Sequence, residues 1–232
     1  MESSAPAIRS AVRSILETFE AGDLIIVAVS GGADSLALAY ALSLEAPKFA
    51  IQLQAVTIDH QLQSGSGVQA LEVVEQMKSL GLETTIEKVS VELTDGLEAS
   101  ARKARYAALD SIGTALNAVA IFLGHTRDDQ AESVLLGLAR GSGTRSLSGM
   151  AVKNGKYIRP LLSITREQTV SMCQEVGLYA WTDPHNSDSN FARVRVRMQA
   201  IPILEETIGP GISEALARSA ELLRHDADAL DV

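Results

Sequence analysis

Six residues, Ser30-Gly31-Gly32-Ala33-Asp34-Ser35, follow an apolar run from Leu24 to Val29 and open a stretch of helical character. A buried strand that turns straight into a helix aims backbone N–H groups and the positive helix end at one point. The segment is therefore a cradle for an anion, phosphate above all. Gly31 and Gly32 permit backbone conformations and close approaches that a Cβ forbids. Ala33 and Ser35 complete the turn, and Asp34 is placed to hold a divalent cation against bound phosphates. The lysine of a Walker loop is missing. A plain strand-to-helix turn capped by Ser30 or Asp34 is the competing reading.

A second group lies in Leu123-Gly-His-Thr-Arg-Asp-Asp-Gln-Ala-Glu132. Asp129 and Glu132 are three apart on a predicted helix, so both carboxylates can face one cleft beside His125 and attract a cation. Asp128 is explained by the helix dipole alone, which favours acids in the first turn. Thr57-Ile-Asp-His60 ends another apolar run and places Asp59. Ala101-Arg-Lys-Ala-Arg-Tyr106 offers Arg102 and Arg105, which are suited to stabilising charge on a phosphate or else are solvated helix charges.

The elements that must position these residues alternate. The apolar run Leu24–Val29, without polar alternation, predicts a parallel strand buried on both faces, and the repeating unit places further strands near Leu53–Ile58, Glu83–Val89 and Val119–Leu123. Helical periodicity is expected from Ile8 to Phe19, from about Ser35, and over Val68–Leu80, Leu97–Leu116 and Asp128–Ala139. This order predicts an α/β fold with a doubly wound parallel sheet, whose ligands lie beyond the carboxyl ends of the strands. A Gly/Ser/Thr-rich loop, Arg140–Gly149, precedes another strand and helix within Tyr157–Val176. Pro184–Asn190 reads as a polar loop. A helical appendage, Ile212–Leu230, is expected to pack on the sheet or lead onward, so residues 1–204 form the catalytic unit and 205–232 a tail or linker.

The 232 residues are 46% hydrophobic and carry a net charge of −9, so a core is available and a general nucleic-acid or anionic-membrane coat is excluded. The one cysteine, Cys173, forms no internal disulfide or CxxC pair and suits a reducing compartment, the cytoplasm. The stretch Leu24–Leu42 is long enough to span a bilayer, but Asp34 sits in its middle, and no membrane partner is expected.

SGGxDS resembles the PP-loop of the N-type ATP pyrophosphatases. With Thr57–His60, Ala101–Tyr106, Leu123–Glu132, Arg140-Gly-Ser-Gly143, Arg159-Pro-Leu-Leu162 and Asp183-Pro-His-Asn-Ser-Asp188, the chain resembles tRNA(Ile)-lysidine synthetase from about Leu24 to Leu204. The resemblance implies a Rossmann-like catalytic domain and a two-step reaction. The 2-oxo group of the wobble cytidine of tRNA(Ile) with a CAU anticodon attacks the α-phosphate of ATP and releases pyrophosphate. The ε-amine of L-lysine then displaces AMP. It further implies ATP with Mg²⁺ as cofactors, ATP contacts from Ser30–Ser35, Asp59 and Arg105, catalytic roles for Asp34, Arg102, His125, Asp129 and Glu132, and lysine recognition by Asp129 and Glu132. Gln61, Gln63 and Val194 stand where Gly, Arg and Asn are usual in the family.

RNA contact is assigned to two basic islands. One is Ser133–Arg166, with Arg140, Arg145, Lys153, Lys156, Arg159 and Arg166 and no acid; the other is Arg193, Arg195 and Arg197, whose alternation suits an extended segment. Each could equally be a solvated face. Stacking partners for a base are limited to Tyr157, Trp181 and Phe191, with Trp181 read as core. A further C-terminal RNA-binding domain is not evident, and a homo-oligomer is left open. The rival readings are another PP-loop tRNA-modifying enzyme, such as a thiolase, and a non-catalytic ATP-binding module.

Overall fold

The structure, a computed structural model, describes residues 3–61, 65–90, 96–141, 143–183 and 188–230. A first helix, α1 (Ala5–Leu16), leads into the alternation of β1 (Leu24–Ala28), α2 (Ala33–Glu45), β2 (Gln52–Asp59), α3 (Ser66–Ser79), β3 (Thr84–Lys88), α4 (Leu97–Ala115), β4 (Ala120–Leu123) and α5 (Arg127–Ala139). A short helix α6 (Thr144–Leu147) and a two-residue hairpin, β5 (Lys153–Asn154) with β6 (Tyr157–Ile158), precede α7 (Arg166–Glu175). The chain closes with α8 (Ala192–Arg195), a π turn (Val196–Ala200), α9 (Ile201–Thr207) and α10 (Ile212–Leu230).

The sheet order is β3-β2-β1-β4-β6-β5, with every pairing parallel except that of β5 with β6. Strand side chains alternate between two cores, which explains the unbroken apolar runs. Ile25 and Val27 of β1 pack with α1, α2, α3 and α7, whereas Ile26 joins Val56, Ile121 and Leu109 of α4 on the other face. The sheet is thus covered on both sides, as a doubly wound fold requires. No helix among the described residues is long and apolar enough to cross a membrane.

Two expectations are corrected. Residues 192–200 are helical rather than extended, because a helix brings Arg193 and Arg197 round to the same buried acid, Glu132. The tail helix α10 lies along α5 and α6 instead of on the sheet. Its acids meet the basic loop there: Asp228 pairs with Arg145, and Glu214 with Arg127 at 3.7 Å. Arg224 donates to the carbonyls of Ser148 and Gly149 at 2.7 and 2.6 Å. The polar-loop residues Pro184–Ser187, together with Gln63 and Ser142, lie outside the described residues.

Candidate active site

The carboxyl ends of β1, β2 and β4 open into a cleft of about 1090 Å³. At its base, Ser35 shapes the loop: its hydroxyl accepts from the Ser30 amide at 3.1 Å and donates to the Gly32 carbonyl at 2.9 Å. Gly31 has φ +83°, and a Cβ there would meet the Gln69 side chain at 2.7 Å. Gly32 is different. It is extended and lines the cleft, and the nearest atom to a Cβ would be Ser30 Oγ at 3.7 Å, so its missing side chain leaves room on the cleft side. Ala33 and Asp34 begin α2, where amides have no intrahelical acceptor. Gly124, after β4, is required for packing, since a Cβ would lie 2.9 Å from the Asp34 backbone.

Around this loop the structure gathers Asp34, Asp59, Arg102, Arg105, His125 and Asp129 in one cleft. Burial pushes the Asp34 carboxyl above its ordinary range, opposed by Arg166 and by a hydrogen bond from Thr169. Asp59, 4% exposed, accepts from the Gln61 amide at 2.9 Å. That bond holds Gln61 at φ +53°, a left-handed conformation in which glycine is the easier residue. His125 is driven down to about 3, first by burial and then by Arg105, Arg159 and Arg102, with Asp129 opposing, so its imidazole is neutral. Its Nδ1, like that of His60, is buried without a partner among the described residues.

The two acids of α5 differ. Asp129 Oδ2 accepts from the Thr126 amide at 2.8 Å and its hydroxyl at 3.1 Å, forming a capping box, while Oδ1 receives Arg166 at 3.1 Å. Burial alone would raise its pKa, but Arg166 and the hydrogen bond from the Thr126 amide hold it below the ordinary carboxylate range. Glu132 is fully buried, off the cleft wall, and takes a bidentate pair from Arg197 at 2.6 and 3.0 Å. Burial lifts its pKa against that pairing. Glu132 therefore holds Arg197 and Arg193, both of which line the cleft.

Arg166 was placed by sequence in a basic island, yet it is central. Its guanidinium lies 3.3 Å from Asp34, 3.1 Å from Asp129 and 3.8 Å from Glu132, linking the phosphate loop to the acids of α5. The only readable signal was its place beside a capping box, Thr165 with Gln168, at the start of a helix. Trp181, expected in the core, instead lines the cleft, its amide donating to the Gly31 carbonyl at 2.9 Å. Phe191 lines the same cleft.

The first basic island is dispersed rather than forming one face. Arg145 pairs with α10, Lys156 with Asp110 at 3.0 Å, Arg159 is buried, and Arg140 sits exposed at the end of α5. Arg195 turns away from its neighbours and donates to the carbonyls of Ser189 and Asn190 at 2.7 and 2.9 Å. Cys173 is buried, its thiol donates to the Ala33 carbonyl at 3.4 Å, and burial pushes its pKa up to about 11, so it is an inert, protonated packing residue.

The PP-loop domain family matches residues 5–204. The chain is 51% identical to tRNA(Ile)-lysidine synthase of Thermobifida fusca (strain YX) over 226 residues, covering 97% of this chain and 69% of that protein. It is 53% identical to the tRNA(Ile)-lysidine synthase of Streptomyces coelicolor over 212 residues, 90% of this chain and 60% of the relative. Among solved structures, the U34-tRNA thiolase NcsA from Methanococcus maripaludis, with its [4Fe-4S] cluster, superposes with a TM-score of 0.79 at 20% identity, covering 96% and 79% of the two chains, which establishes a shared fold. With the phosphate loop, the α5 acids and identity near one half over nearly the whole chain in agreement, the chain belongs to the tRNA(Ile)-lysidine synthase family of PP-loop proteins.

Proposed function

We propose that this chain ligates L-lysine to the wobble cytidine of tRNA(Ile) with a CAU anticodon, using ATP and passing through an adenylated cytidine. The observation that carries the reading is the meeting of a phosphate loop and an acidic helix start in one cleft, in a chain about half identical to named tRNA(Ile)-lysidine synthases. An amide-like oxygen is a poor leaving group, and adenylation makes it a good one. Phosphate binds at Ser30–Ser35, and Arg102 and Arg105 stand across the cleft to stabilise charge that grows on it.

The donors fit Mg²⁺, which commonly takes one or two carboxylates and completes its shell with phosphates and water. Asp34 beside the cradle supplies that carboxylate, and no cluster of three or more ligating side chains exists among the described residues. When bound, the ion neutralises phosphate charge.

Lysine enters with an ε-ammonium of pKa about 10.4 and must lose a proton. His125 at about 3 and Asp129, held low by Arg166, are poorly matched to that task, so they orient the amine while solvent takes its proton. Glu132 is raised but lies fully buried behind Arg197. A reducing, cytoplasmic setting suits the single buried thiol. The thiolase alternative is not favoured, since these residues supply one cysteine and a cluster takes several.

The test is turnover with ATP, Mg²⁺, unmodified tRNA(Ile) and labelled lysine. Release of AMP and pyrophosphate with lysine entering the tRNA is expected. Asp34→Ala should cut pyrophosphate release about 10²-fold or more, the scale on which a preorganised electrostatic group acts, with an unchanged circular dichroism spectrum. ATP turnover indifferent to lysine and tRNA would end the reading.

A further inference from the structure

Beside the cleft lies a second, open groove of about 520 Å³, lined by Arg102, Tyr106, Lys156, Tyr157 and Arg159 with the Asn154–Gly155 turn. Its aromatic wall is rigid. The Arg102 guanidinium sits 5.1 Å from the Tyr106 ring centre, and Tyr157 meets that ring edge-on at 4.8 Å. The Tyr157 hydroxyl donates to Asp110 at 2.7 Å, and the Tyr106 hydroxyl accepts from Arg159 at 3.4 Å.

Arg159 is the informative residue. It is 5% exposed and donates one terminal nitrogen to the Ala151 carbonyl at 3.2 Å, yet its Nε is buried with no partner among the described residues. A buried cationic donor without an acceptor is costly, and it marks a place where an acceptor from outside the chain fits. The groove reaches the functional end of the sheet at Arg159, which follows β6 as Gly124 and His125 follow β4 on a parallel strand, and it runs back to Lys156 and the turn before β6. Arg102 lines both cavities, so the groove adjoins the cleft. Three cations, Arg102, Lys156 and Arg159, line it on a chain of net charge −9, against one neighbouring acid, Asp110, which pairs with Lys156 at 3.0 Å.

We propose that this groove is a subsite for the phosphate of the nucleotide next to the base that enters the cleft, held by Arg159 and Lys156, with its sugar or base against Tyr106. The inference rests on the tRNA reading above. It assigns RNA contact to two members of the first basic island, Lys156 and Arg159, while Arg193 and Arg197 of the second line the cleft itself. A phosphodiester supplies several acceptors at once and matches a guanidinium fork, while a tyrosine face accepts a base of any sequence.

The experiment is a fluorescence anisotropy titration of the full chain with a labelled anticodon stem-loop, across a salt series. Lys156→Gln and Arg159→Lys should each weaken RNA binding about 5–10-fold and flatten the slope of log K against log salt by about 0.7, the value for one lost single-strand phosphate contact. ATP binding should be unchanged. A stem-loop with a neutral methylphosphonate beside the wobble cytidine should bind the native chain as weakly as normal RNA binds Lys156→Gln, with no further loss when the two are combined. Lys156 is partly exposed and removable without opening the core, which keeps the test valid if Arg159→Lys unfolds.

Unchanged salt slope in Lys156→Gln, or a loss of ATP affinity equal to the loss of RNA affinity, overturns the subsite. Lysine-dependent AMP release is assayed alongside. If it is absent while Lys156→Gln still weakens RNA binding, the subsite stands and the activity reading falls.

Discussion

Asp129 uses its two oxygens for two purposes: one closes the start of α5 onto Thr126, and the other faces Arg166 in the cleft. Glu132, one turn further, spends both oxygens on Arg197. Their spacing was readable as a shared helical face, but which carboxylate stays open depends on distant arginines, Arg166 at 37 positions from Asp129 and Arg197 at 65 from Glu132. The two neutral variants should therefore separate. Asp129→Asn is expected to raise the KM for lysine strongly while costing about 1 kcal/mol through the weakened cap. Glu132→Gln should cost about 1–3 kcal/mol by leaving a charged partner unsatisfied, and disturb lysine affinity less. Lysine titrations and thermal melts of both variants decide it, and the reverse order would place the lysine contact on Glu132. Arg166 escaped sequence reasoning for a similar reason, since it meets Asp34 only because α7 docks against α2.

Elements were legible where burial imposes a pattern. The first parallel strand was readable because Ile25 and Val27 fill one core and Ile26 the other, which leaves no polar alternation. Of the hairpin, a strand at Tyr157 was expected, but its partner β5 was not, because a two-residue strand has no period. Arg193, Arg195 and Arg197 fit both a strand and a helix, and only the buried Glu132 chooses between them. At the outer end of α2, Glu45 is fully buried under Arg9, Arg13 and Lys48 at 2.7, 3.0 and 2.8 Å, pinning α1 to α2. Its hydrogen bonds to Arg13, against the cost of burial, bring its pKa to about 2 from an ordinary 4.5. A carboxylate lowered in the folded state contributes stability that is complete above the ordinary value and is lost as pH falls towards 2. Glu45→Gln should thus melt lower than the native chain at pH 6, with the gap closing between about pH 4.5 and 2 as both forms become neutral there. A gap that stays constant through that window would mean the three cations hold Glu45 by packing alone.

On the scale of the whole molecule, charge is distributed against its own substrate. The net −9 includes a tail, Glu205–Val232, with seven acids against Arg218 and Arg224, and the structure lays α10 over α5 and α6. There Glu214 and Asp228 pair with Arg127 and Arg145. The Arg145–Asp228 pair is exposed and the Arg127–Glu214 contact is long and half-exposed, so each adds little to stability. Their consequence is electrostatic: they weaken the pull of this face on RNA. Replacing Glu214 and Asp228 together by Gln and Asn should leave the melting temperature nearly unchanged and speed tRNA association at low ionic strength. The gain should fade as salt shortens the Debye length from about 10 Å at 0.1 M to about 3 Å at 1 M. Stopped-flow association rates over that range test this directly. An acceleration that persists at 1 M salt would show that the tail blocks RNA by shape, and no acceleration at low salt would show that Arg127 and Arg145 do not face the RNA.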